Sequence, residues 1–380
     1  MKTVQTIGVI GGGQLGRMLT LDAKRMGYDV IVLDPQEHSP TGQVADEQIV
    51  AKYEDLEAIE RLGKSTDIVT YEFENIDIGS VRHLESIGYR VLPSSDVLHV
   101  TQDRLREKTF ARENGIATTE FAAILNDVDL RAAAETIGFP AILKTVRGGY
   151  DGKGQWRVDD MAGAKAALGA VAGKDLIWER LVPLACEVSV VATRNAQGEI
   201  VTYPLAENTH DRGILATSIA PARVTGEIAQ SARDMAIVTG RALSIVGTYC
   251  VEFFVTPSGD VLLNEIAPRP HNSGHYTIDV TPCSQYEQHV RAICELPLSP
   301  PRMLSNVIMM NILGTGSGDR LAGIPELLRD PNIVLHLYGK RHAVARRKMG
   351  HFSMLVDGAV DDAAVERARR AHAQLSWAAT

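Results

Sequence analysis

The stretch Thr6-Ile7-Gly8-Val9-Ile10-Gly11-Gly12-Gly13-Gln14-Leu15-Gly16 decides the fold of the first part of the chain. A β-branched run ends at three glycines, and apolar residues then recur at helical spacing to residue 26, which predicts a strand followed directly by a helix. Further strands at residues 30–33 and 68–71, with a helix at residues 56–62 between them, continue the alternation. Strands that alternate with helices predict a doubly wound parallel sheet.

Composition and charge exclude several classes of protein. Of the 380 residues, 45% are apolar and 23% are charged, which is typical of a globular protein. The 39 basic and 47 acidic residues give a net charge of −8, which argues against broad binding to nucleic acid or anionic membranes. Since the chain has no apolar run near the ~18 residues that span a bilayer and makes a poor signal peptide, we expect a soluble cytoplasmic protein.

The pattern of elements changes twice along the chain, which predicts three domains and an α/β (α+β) fold. Residues 1–101 form the N-terminal Rossmann-like domain. Residues 102–178 start with a charged helix and continue as a small block of strands and helices around one glycine-rich loop, which is typical of a lid. From residue 179 to residue 380 the strands are longer and of antiparallel type, which predicts a mixed or antiparallel sheet domain.

The first glycine motif, residues 11–16, fits the pattern GxGxxG, and Asp34 ends the following strand as in dinucleotide-binding folds. The backbone N–H groups of such a loop, together with a helix N-terminus, favour an anionic group. From these residues alone three interpretations stay open: NAD or FAD, another phosphorylated ligand, or a tight turn that binds nothing.

A second glycine-rich loop, residues 147–155, joins two strands, and Lys144 lies on the first of them. It is not a P-loop, because no GK[ST] sequence opens a helix. The backbone N–H groups of such a hairpin can fold over a polyphosphate and close as a flap, while the lysine supplies a point charge. The alternative is a mobile hairpin whose charges are solvated.

Two carboxylates are expected to face each other on a later hairpin. A proline- and glycine-containing turn separates two apolar strands, and if it is centred between Ser258 and Gly259, Glu252 lies directly opposite Glu265. Directly opposed like charges destabilise a hairpin. A divalent cation such as Mg²⁺ would convert the repulsion into coordination, and the neighbouring Asn264 adds an amide oxygen. A solvated acidic edge is the alternative.

Five blocks of sequence occur in an order shared with one family. They are Gly11-Gly12-Gly13-Gln14-Leu15-Gly16-Arg17-Met18, Tyr71-Glu72-Phe73-Glu74-Asn75-Ile76, Tyr150-Asp151-Gly152-Lys153-Gly154-Gln155, Asn264-Glu265-Ile266-Ala267-Pro268-Arg269-Pro270-His271-Asn272-Ser273-Gly274-His275 and Arg347-Lys348-Met349-Gly350-His351. From residue 7 to about residue 351 the chain resembles the 5-(carboxyamino)imidazole ribonucleotide synthase family of ATP-grasp enzymes.

The resemblance implies a three-domain ATP-grasp fold and a ligase of purine biosynthesis. Such a ligase would use ATP, bicarbonate and Mg²⁺, with Mn²⁺ as an alternative, to carboxylate the exocyclic amine of 5-aminoimidazole ribonucleotide through carboxyphosphate. The resemblance also implies a homodimer.

The residues that match the family's ATP site form one set. They are Arg104, Lys144, Gly149, Tyr150, Asp151, Gly152, Lys153, Gly154, Gln155, Glu179, Arg180, Leu181, Val182, Glu187, His210, Asn264 and Glu265. Within this set, residues 179–182 would be the adenine-binding hinge and Glu187 the partner of the ribose. His210 is expected on a loop between elements. Glu252 and Glu265 match the Mg²⁺ ligands, in agreement with the hairpin.

A second set matches the ribonucleotide site and the reacting groups. The substrate-binding positions are Gln14, Leu15, Asn272, Lys340, Arg347 and Lys348, and the candidate catalytic residues are Asp151, Arg269, His271 and Lys340. Asp151 is the candidate for helping to deprotonate the amine. Residues 341–345 depart from the family's pattern, which leaves open whether Arg346 or Arg347 grips the substrate phosphate.

Three competing functions follow from the same residues. A formate-dependent glycinamide ribonucleotide ligase shares the two-glutamate site, but the block at residues 150–155 favours the carboxylating ligase. An NAD-dependent oxidoreductase would rest on the first glycine motif and Asp34. A catalytically silent nucleotide-binding protein is disfavoured by the two metal-site glutamates and Lys144.

Overall fold

The computed structural model of the chain describes residues 4–149, 154–171 and 173–378. Its first part contains β1 (Thr6–Ile10), α1 (Gln14–Arg25), β2 (Asp29–Leu33), β3 (Glu47–Ile49), α2 (Leu56–Ser65), β4 (Ile68–Tyr71), α3 (Ile78–Ser86) and α4 (Ser95–Thr101). The middle part contains α5 (Arg104–Glu113), β5 (Phe121–Ile124), α6 (Asp127–Thr136), β6 (Ala141–Thr145), β7 (Gln155–Val158), α7 (Met161–Ala170) and β8 (Leu176–Arg180).

The last part contains β9 (Cys186–Arg194), β10 (Ile200–Thr202), β11 (Ala206–Asp211), β12 (Ile214–Ala220), α8 (Gly226–Ala242), β13 (Gly247–Val255), β14 (Val261–Ala267), a 3₁₀ turn (Asn272–Gly274), α9 (Thr277–Val280) and α10 (Gln285–Ile293). It ends with β15 (Asn306–Leu313), β16 (Arg320–Ala322), α11 (Ile324–Leu327), β17 (Ile333–Leu337), β18 (Lys348–Val356), α12 (Asp362–His372) and β19 (Ser376–Ala378).

The N-terminal sheet has the strand order β3-β2-β1-β4, and every pair in it is parallel. The sequence analysis located β1, β2 and β4 and predicted their parallel pairing, which is confirmed; it missed the three-residue edge strand β3. Because the strands are parallel, the glycine loop after β1 and the segment after β4 lie at the same edge of the sheet. Ligands of open α/β sheets bind at this carboxyl edge.

The small antiparallel sheet has the strand order β5-β8-β6-β7, and α6 and α7 pack on it around the fully buried Trp178. Strand β8 belongs to this sheet as far as Arg180, so the expected boundary between residues 178 and 179 falls inside the strand. The division into three domains stays a prediction.

The large sheet has the strand order β14-β13-β9-β11-β12-β15-β18-β17, with β10 paired to β9. Its antiparallel pairing is as predicted. The sequence analysis missed β11, β12, β17 and β18. The expected loop position of His210 is wrong, because His210 lies on β11.

Helix α10 joins the N-terminal sheet to the large sheet. Its Tyr286, Val290 and Ile293 share one hydrophobic core with residues of β1 and β2. The buried His289 accepts a hydrogen bond at Nδ1 from the backbone N–H of Thr248 (3.0 Å), and its Nε2 lies 2.9 Å from Thr70 Oγ1. These contacts tie β4 to β13, and so the two sheets that carry the functional residues are held together. Among the described residues, no helix combines the length and the apolar character needed to cross a membrane.

The packing of α8 against β13 gives a test of the core. A Cβ atom added at Gly240 would lie 2.0 Å from the hydroxyl oxygen of the buried Tyr249, which donates a hydrogen bond to Ala236 O (2.9 Å). Overpacking of this kind costs about 1–3 kcal/mol, so Gly240→Ala should lower the urea midpoint of unfolding. In the same helix, Gly226→Ala adds a Cβ that meets no atom within 4 Å and should leave the free energy of unfolding within about 0.5 kcal/mol of wild type. Unfolding is followed by circular dichroism, and equal urea midpoints for the two variants would contradict this packing.

Candidate active site

Two glutamates face each other on the β13–β14 hairpin, with Glu252 paired directly to Glu265. The predicted opposition is confirmed, but the uniform ladder assumed for it is wrong. Next to the turn Val255 pairs with Val261, so the turn is centred on Ser258. A β-bulge that leaves Asn264 unpaired then shifts the register by one residue and brings the glutamates opposite each other.

The two carboxylates are electrostatically unfavourable as they stand. Burial and the nearby Glu265 raise the pKa of Glu252 to about 8. Arg104 approaches Glu265, with 3.5 Å between Nη1 and Oε2, and His271 Nε2 lies 3.3 Å from Glu252 Oε1. Burial and the charge of Arg269 hold the pKa of His271 well below its usual range, so the imidazole is neutral. Two opposed carboxylates form a donor set that fits a hard divalent cation.

His210 on β11 contacts Glu187 on β9 through its Nδ1 atom. Burial lowers the pKa of His210, but the hydrogen bond to Glu187 and the charge of Glu252 outweigh burial and raise it. The strand positions of the two residues therefore bring the expected ribose partner and the expected ATP-site histidine into one pair next to the glutamate hairpin.

Lys144 and Glu179 form a buried ion pair within the small sheet, with 2.9 Å between Nζ and Oε2. Burial raises the pKa of Glu179, but Lys144 and Lys108 outweigh it and lower that pKa to about 2. The side chain of Glu179 therefore fixes the position of the Lys144 ammonium group. In the rest of the predicted hinge, Arg180 pairs with Glu120, and the N–H of Leu181 donates to Pro140 O (3.2 Å).

A narrow cavity of about 40 Å³ lies between the small sheet and the glutamate hairpin. Its lining includes Arg104, Gly148, Gly149, Glu265, Glu74 and Asn75. Arg104 donates a hydrogen bond from Nη2 to Gly149 O (3.1 Å), so the start of the second glycine loop lies beside the hairpin. The predicted loop residues Tyr150, Asp151, Gly152 and Lys153 lie outside the described residues, while Gln155 pairs with Lys144.

A second cavity of about 300 Å³ lies beside the first glycine motif. Its lining includes Gly12, Gly13, Gln14, Leu15, Asp34, Tyr53, Glu72, Phe73, Lys340 and Arg347. Lys340 reaches across from the C-terminal part and donates hydrogen bonds from Nζ to Gln14 Oε1 and Lys348 O, each 2.7 Å. Of the two arginines left open by the sequence, Arg347 lines the cavity, whereas Arg346 donates to Arg212 O (2.7 Å).

Two predicted substrate residues are not among those that line the second cavity. Lys348 is the first residue of β18. Burial raises the pKa of Glu74, but the charge of Arg269, helped by that of Lys348, outweighs burial and lowers it. Asn272 begins the 3₁₀ turn, and both polar atoms of its amide are buried with no hydrogen-bond partner among the described residues. Arg269, whose side chain is 14% exposed, contacts Glu74 through Nε.

The first glycine motif is already occupied by two carboxylates. The N–H of Gly12 donates to Asp34 Oδ2 (2.7 Å), which also accepts from the hydroxyl of Tyr53 (2.7 Å). Glu72 accepts from the N–H groups of Gly13 and Gly16. A Cβ added at Gly13 would lie 2.5 Å from Glu72 Oε1, so the approach of this carboxylate requires glycine. The negative charge of these carboxylates opposes the binding of a dinucleotide pyrophosphate. At the helix N-terminus, the N–H groups of Gln14 and Leu15 are backbone donors that the two carboxylates do not occupy.

The sequence analysis assigned no role to several of these residues. Glu72 and Glu74 lie in a quoted block, and their position directly after β4 was the available signal. Glu107 and Lys108 lie on a helix that was identified only as charged, although both are buried, with 3% and 1% exposure. Nothing in the local pattern distinguishes them from solvated residues.

Comparison with family models covers most of the chain. The Ribonucleotide synthetase preATP-grasp domain matches residues 4–102, the ATP-grasp domain matches residues 109–286, and the Phosphoribosylaminoimidazole carboxylase C-terminal domain matches residues 307–364.

Curated proteins and solved structures agree with these models. The N5-carboxyaminoimidazole ribonucleotide synthase of Bacillus subtilis is 44% identical over 353 residues, which cover 92% of this chain and 91% of that protein. The synthase of Brucella melitensis is 43% identical over 357 residues, covering 93% and 97%. The ADP complex of an N5-carboxyaminoimidazole ribonucleotide synthetase matches with a TM-score of 0.90 and 44% identity over 98% of both chains.

An Aspergillus clavatus synthase in complex with ADP and 5-aminoimidazole ribonucleotide matches with a TM-score of 0.87 and 32% identity, covering 94% of this chain and 95% of that one. The agreement extends over all three parts of the chain and over the fold as well as the sequence. This chain therefore belongs to the N5-carboxyaminoimidazole ribonucleotide synthase family of ATP-grasp ligases.

Proposed function

We propose that this chain uses ATP and bicarbonate to carboxylate the exocyclic amine of 5-aminoimidazole ribonucleotide in purine biosynthesis. One observation carries the proposal: the segment after β4 forms a wall of both cavities. Glu72 and Phe73 line the cavity beside the first glycine motif, and Glu74 and Asn75 line the cavity beside the glutamate hairpin. Adjacent sites for a nucleotide and an amine are what the transfer of an ATP-activated carboxyl group requires.

The cation of the proposed reaction is Mg²⁺, or Mn²⁺ in its place, held by Glu252 and Glu265 with Asn264 beside them. The support is the opposition of the two carboxylates and the raised pKa of Glu252. When bound there, the cation supplies charge neutralisation at the phosphates that are transferred and released.

ATP is proposed to bind between the small sheet and the hairpin. Lys144 contacts its phosphates, and the ion pair with Glu179 fixes the direction of the ammonium group. Arg104, poised between Glu265 and Gly149, supplies a second cation. The hinge at residues 179–182 takes the adenine, and Glu187 with His210 takes the ribose.

The proposed reaction has two transfers. A bicarbonate oxygen attacks the γ-phosphorus, the bond to ADP breaks, and carboxyphosphate forms. Carboxyphosphate then releases CO₂ and phosphate, and the amine nitrogen forms a C–N bond to the CO₂ carbon while it loses one proton. Arg269 stabilises the bicarbonate, and the neutral imidazole of His271 is a hydrogen-bonding partner close to Glu252. Asp151, outside the described residues, stays the predicted proton acceptor.

The ribonucleotide is proposed to bind in the cavity of about 300 Å³. Its phosphate lies between Lys340, Arg347 and the N–H groups of Gln14 and Leu15, where charge-assisted hydrogen bonds and a helix N-terminus favour an anion. Lys348 contributes from the side of Glu74, and Asn272 contributes from the 3₁₀ turn. The homodimer implied by the family is part of the same proposal.

An assay of ADP release tests this function. ADP should form at full rate only when both 5-aminoimidazole ribonucleotide and bicarbonate are supplied, with one carboxylated product per ADP. Formate with glycinamide ribonucleotide should give no ADP above background. NAD should not raise the melting temperature, whereas ATP with Mg²⁺ at 100 times its Kd should stabilise the protein by about 2.7 kcal/mol. Full activity with formate, or stabilisation by NAD alone, would reject the proposal.

The hairpin assignment predicts that Glu265→Gln removes most activity while the protein stays folded. Loss of one metal ligand removes several kcal/mol of transition-state stabilisation. A loss of about 3 kcal/mol corresponds to a roughly 10²-fold lower rate. The measurement is ADP release at ordinary Mg²⁺, with the melting temperature recorded in parallel. Glu227→Gln, at an exposed position in the first turn of α8, is the control and should keep the wild-type rate. A normal rate for Glu265→Gln would exclude Glu265 as a metal ligand.

The phosphate assignment predicts a selective effect of Arg347→Ala. Loss of a charge-assisted hydrogen bond should raise the KM for the ribonucleotide by roughly tenfold or more and leave the KM for ATP within about twofold. Arg346→Ala is the matched control, because Arg346 donates to a backbone carbonyl outside the cavity. The assignment fails if the two variants raise the KM of the ribonucleotide equally, or if Arg347→Ala raises both KM values in parallel.

A further inference from the structure

The bulge on β14 decides which side chain faces Glu252. On one side of it Phe253 pairs with Leu263, on the other Glu252 pairs with Glu265, and Asn264 is the extra residue. Successive side chains of a strand point to opposite faces, so a shift of one residue exchanges the faces. Without the bulge, Asn264 would lie opposite Glu252, and Glu265 would point to the other face of the sheet.

Two consecutive residues of α5, Glu107 and Lys108, contact β14 on either side of this bulge. Lys108 donates from Nζ to Leu263 O (2.7 Å), and Glu107 accepts through Oε1 from the N–H of Ile266. Strand β14 is at the edge of the large sheet, and these backbone groups point away from β13.

The spacing of the two contacts fits only the bulged strand. Backbone groups of a regular strand face a given side at every second residue, so the N–H of Ile266 would face β13 if Leu263 O faces outward. With the extra residue Asn264, the N–H of Ile266 faces outward and meets Glu107. Leu263 is held additionally by Ala117 O and Thr118 Oγ1, whereas the contact beyond the bulge comes from Glu107.

We propose that Glu107 and Lys108 are positioning residues that hold the bulge at Asn264 and thereby keep Glu265 opposite Glu252. The inference rests on the proposed function in one respect, since it takes Glu265 as a cation ligand. Lys108 Nζ also lies 3.9 Å from Glu179 Oε2, the oxygen that accepts from Lys144. The same pair of residues therefore connects the hairpin to the lysine of the small sheet.

Two conservative variants of Glu107 separate the effect of its side-chain length from the effect of its charge. Glu107→Gln keeps the length of the side chain and an oxygen that accepts from Ile266, but removes the charge. Glu107→Asp keeps the charge but is one methylene shorter and loses the contact. Binding of Mn²⁺ in the presence of ADP is measured by electron paramagnetic resonance, and deuterium exchange is followed in the peptide that contains Ile266.

Glu107→Asp should weaken Mn²⁺ binding by tenfold or more and speed the exchange of that peptide, while Glu107→Gln stays within about threefold of wild type in both. Glu287→Ala is the matched control, because Glu287 is a buried glutamate paired with Arg25 and Arg291 on α1 and α10. It should lower the melting temperature and leave Mn²⁺ binding unchanged.

The opposite order, with Mn²⁺ binding lost in Glu107→Gln and kept in Glu107→Asp, would overturn the proposal, because charge and not reach would then matter. Unchanged exchange in Glu107→Asp would overturn it as well. Neither measurement contains the ribonucleotide or bicarbonate. A wild-type protein that binds Mn²⁺ but forms no carboxylated product would reject the proposed function and leave this inference standing. If the wild type binds no Mn²⁺, the metal assignment falls, and the exchange data still test the contact.

Discussion

The opposition of the buried Glu252 and the partly exposed Glu265 across one hairpin is the constraint on which the site depends. Like charges directly opposite each other across a hairpin are unfavourable, and burial together with Glu265 raises the pKa of Glu252 to about 8. Two groups around the pair compensate its negative charge. Arg104 approaches Glu265, and His210, whose pKa is raised because its hydrogen bond to Glu187 and the charge of Glu252 outweigh burial, adds positive charge on the side of Glu252 when it is protonated. The proposed cation would complete that balance.

The segment that follows β4 connects this charged hairpin to the rest of the protein. Its first two residues, Glu72 and Phe73, line one cavity, and the next two, Glu74 and Asn75, line the other. Glu72 reaches the first glycine motif, and Glu74 reaches Arg269. Both contacts originate at the carboxyl edge of one parallel sheet. The segment after this strand therefore fixes the distance between two cavities that are lined by parts of the chain far apart in sequence, as the proposed transfer between two bound molecules requires.

The first glycine motif illustrates why a motif does not determine its ligand. The turn and the helix N-terminus have the geometry of a dinucleotide site. The carboxylates of Asp34 and Glu72 occupy the N–H groups of Gly12, Gly13 and Gly16, and this removes the donors that a pyrophosphate would need. The glycines are required here for the close approach of a protein carboxylate, and the selectivity is set by side chains from neighbouring strands.

The sequence by itself determined the elements whose hydrophobic period is clear, such as β1, α1 and the hairpin strands, and the residue types that suit a nucleotide and a cation. It did not predict β11, because most of the residues 206–211 are polar. The sequence also predicted the correct pair of opposed glutamates, but it did so from a strand pairing that lacks the bulge. Only the tertiary structure decided the register of β14 against β13 and the burial of Glu107 and Lys108. Both depend on contacts between α5 and a strand about 155 residues away, whereas hydrophobic periodicity reports only on neighbours along the chain.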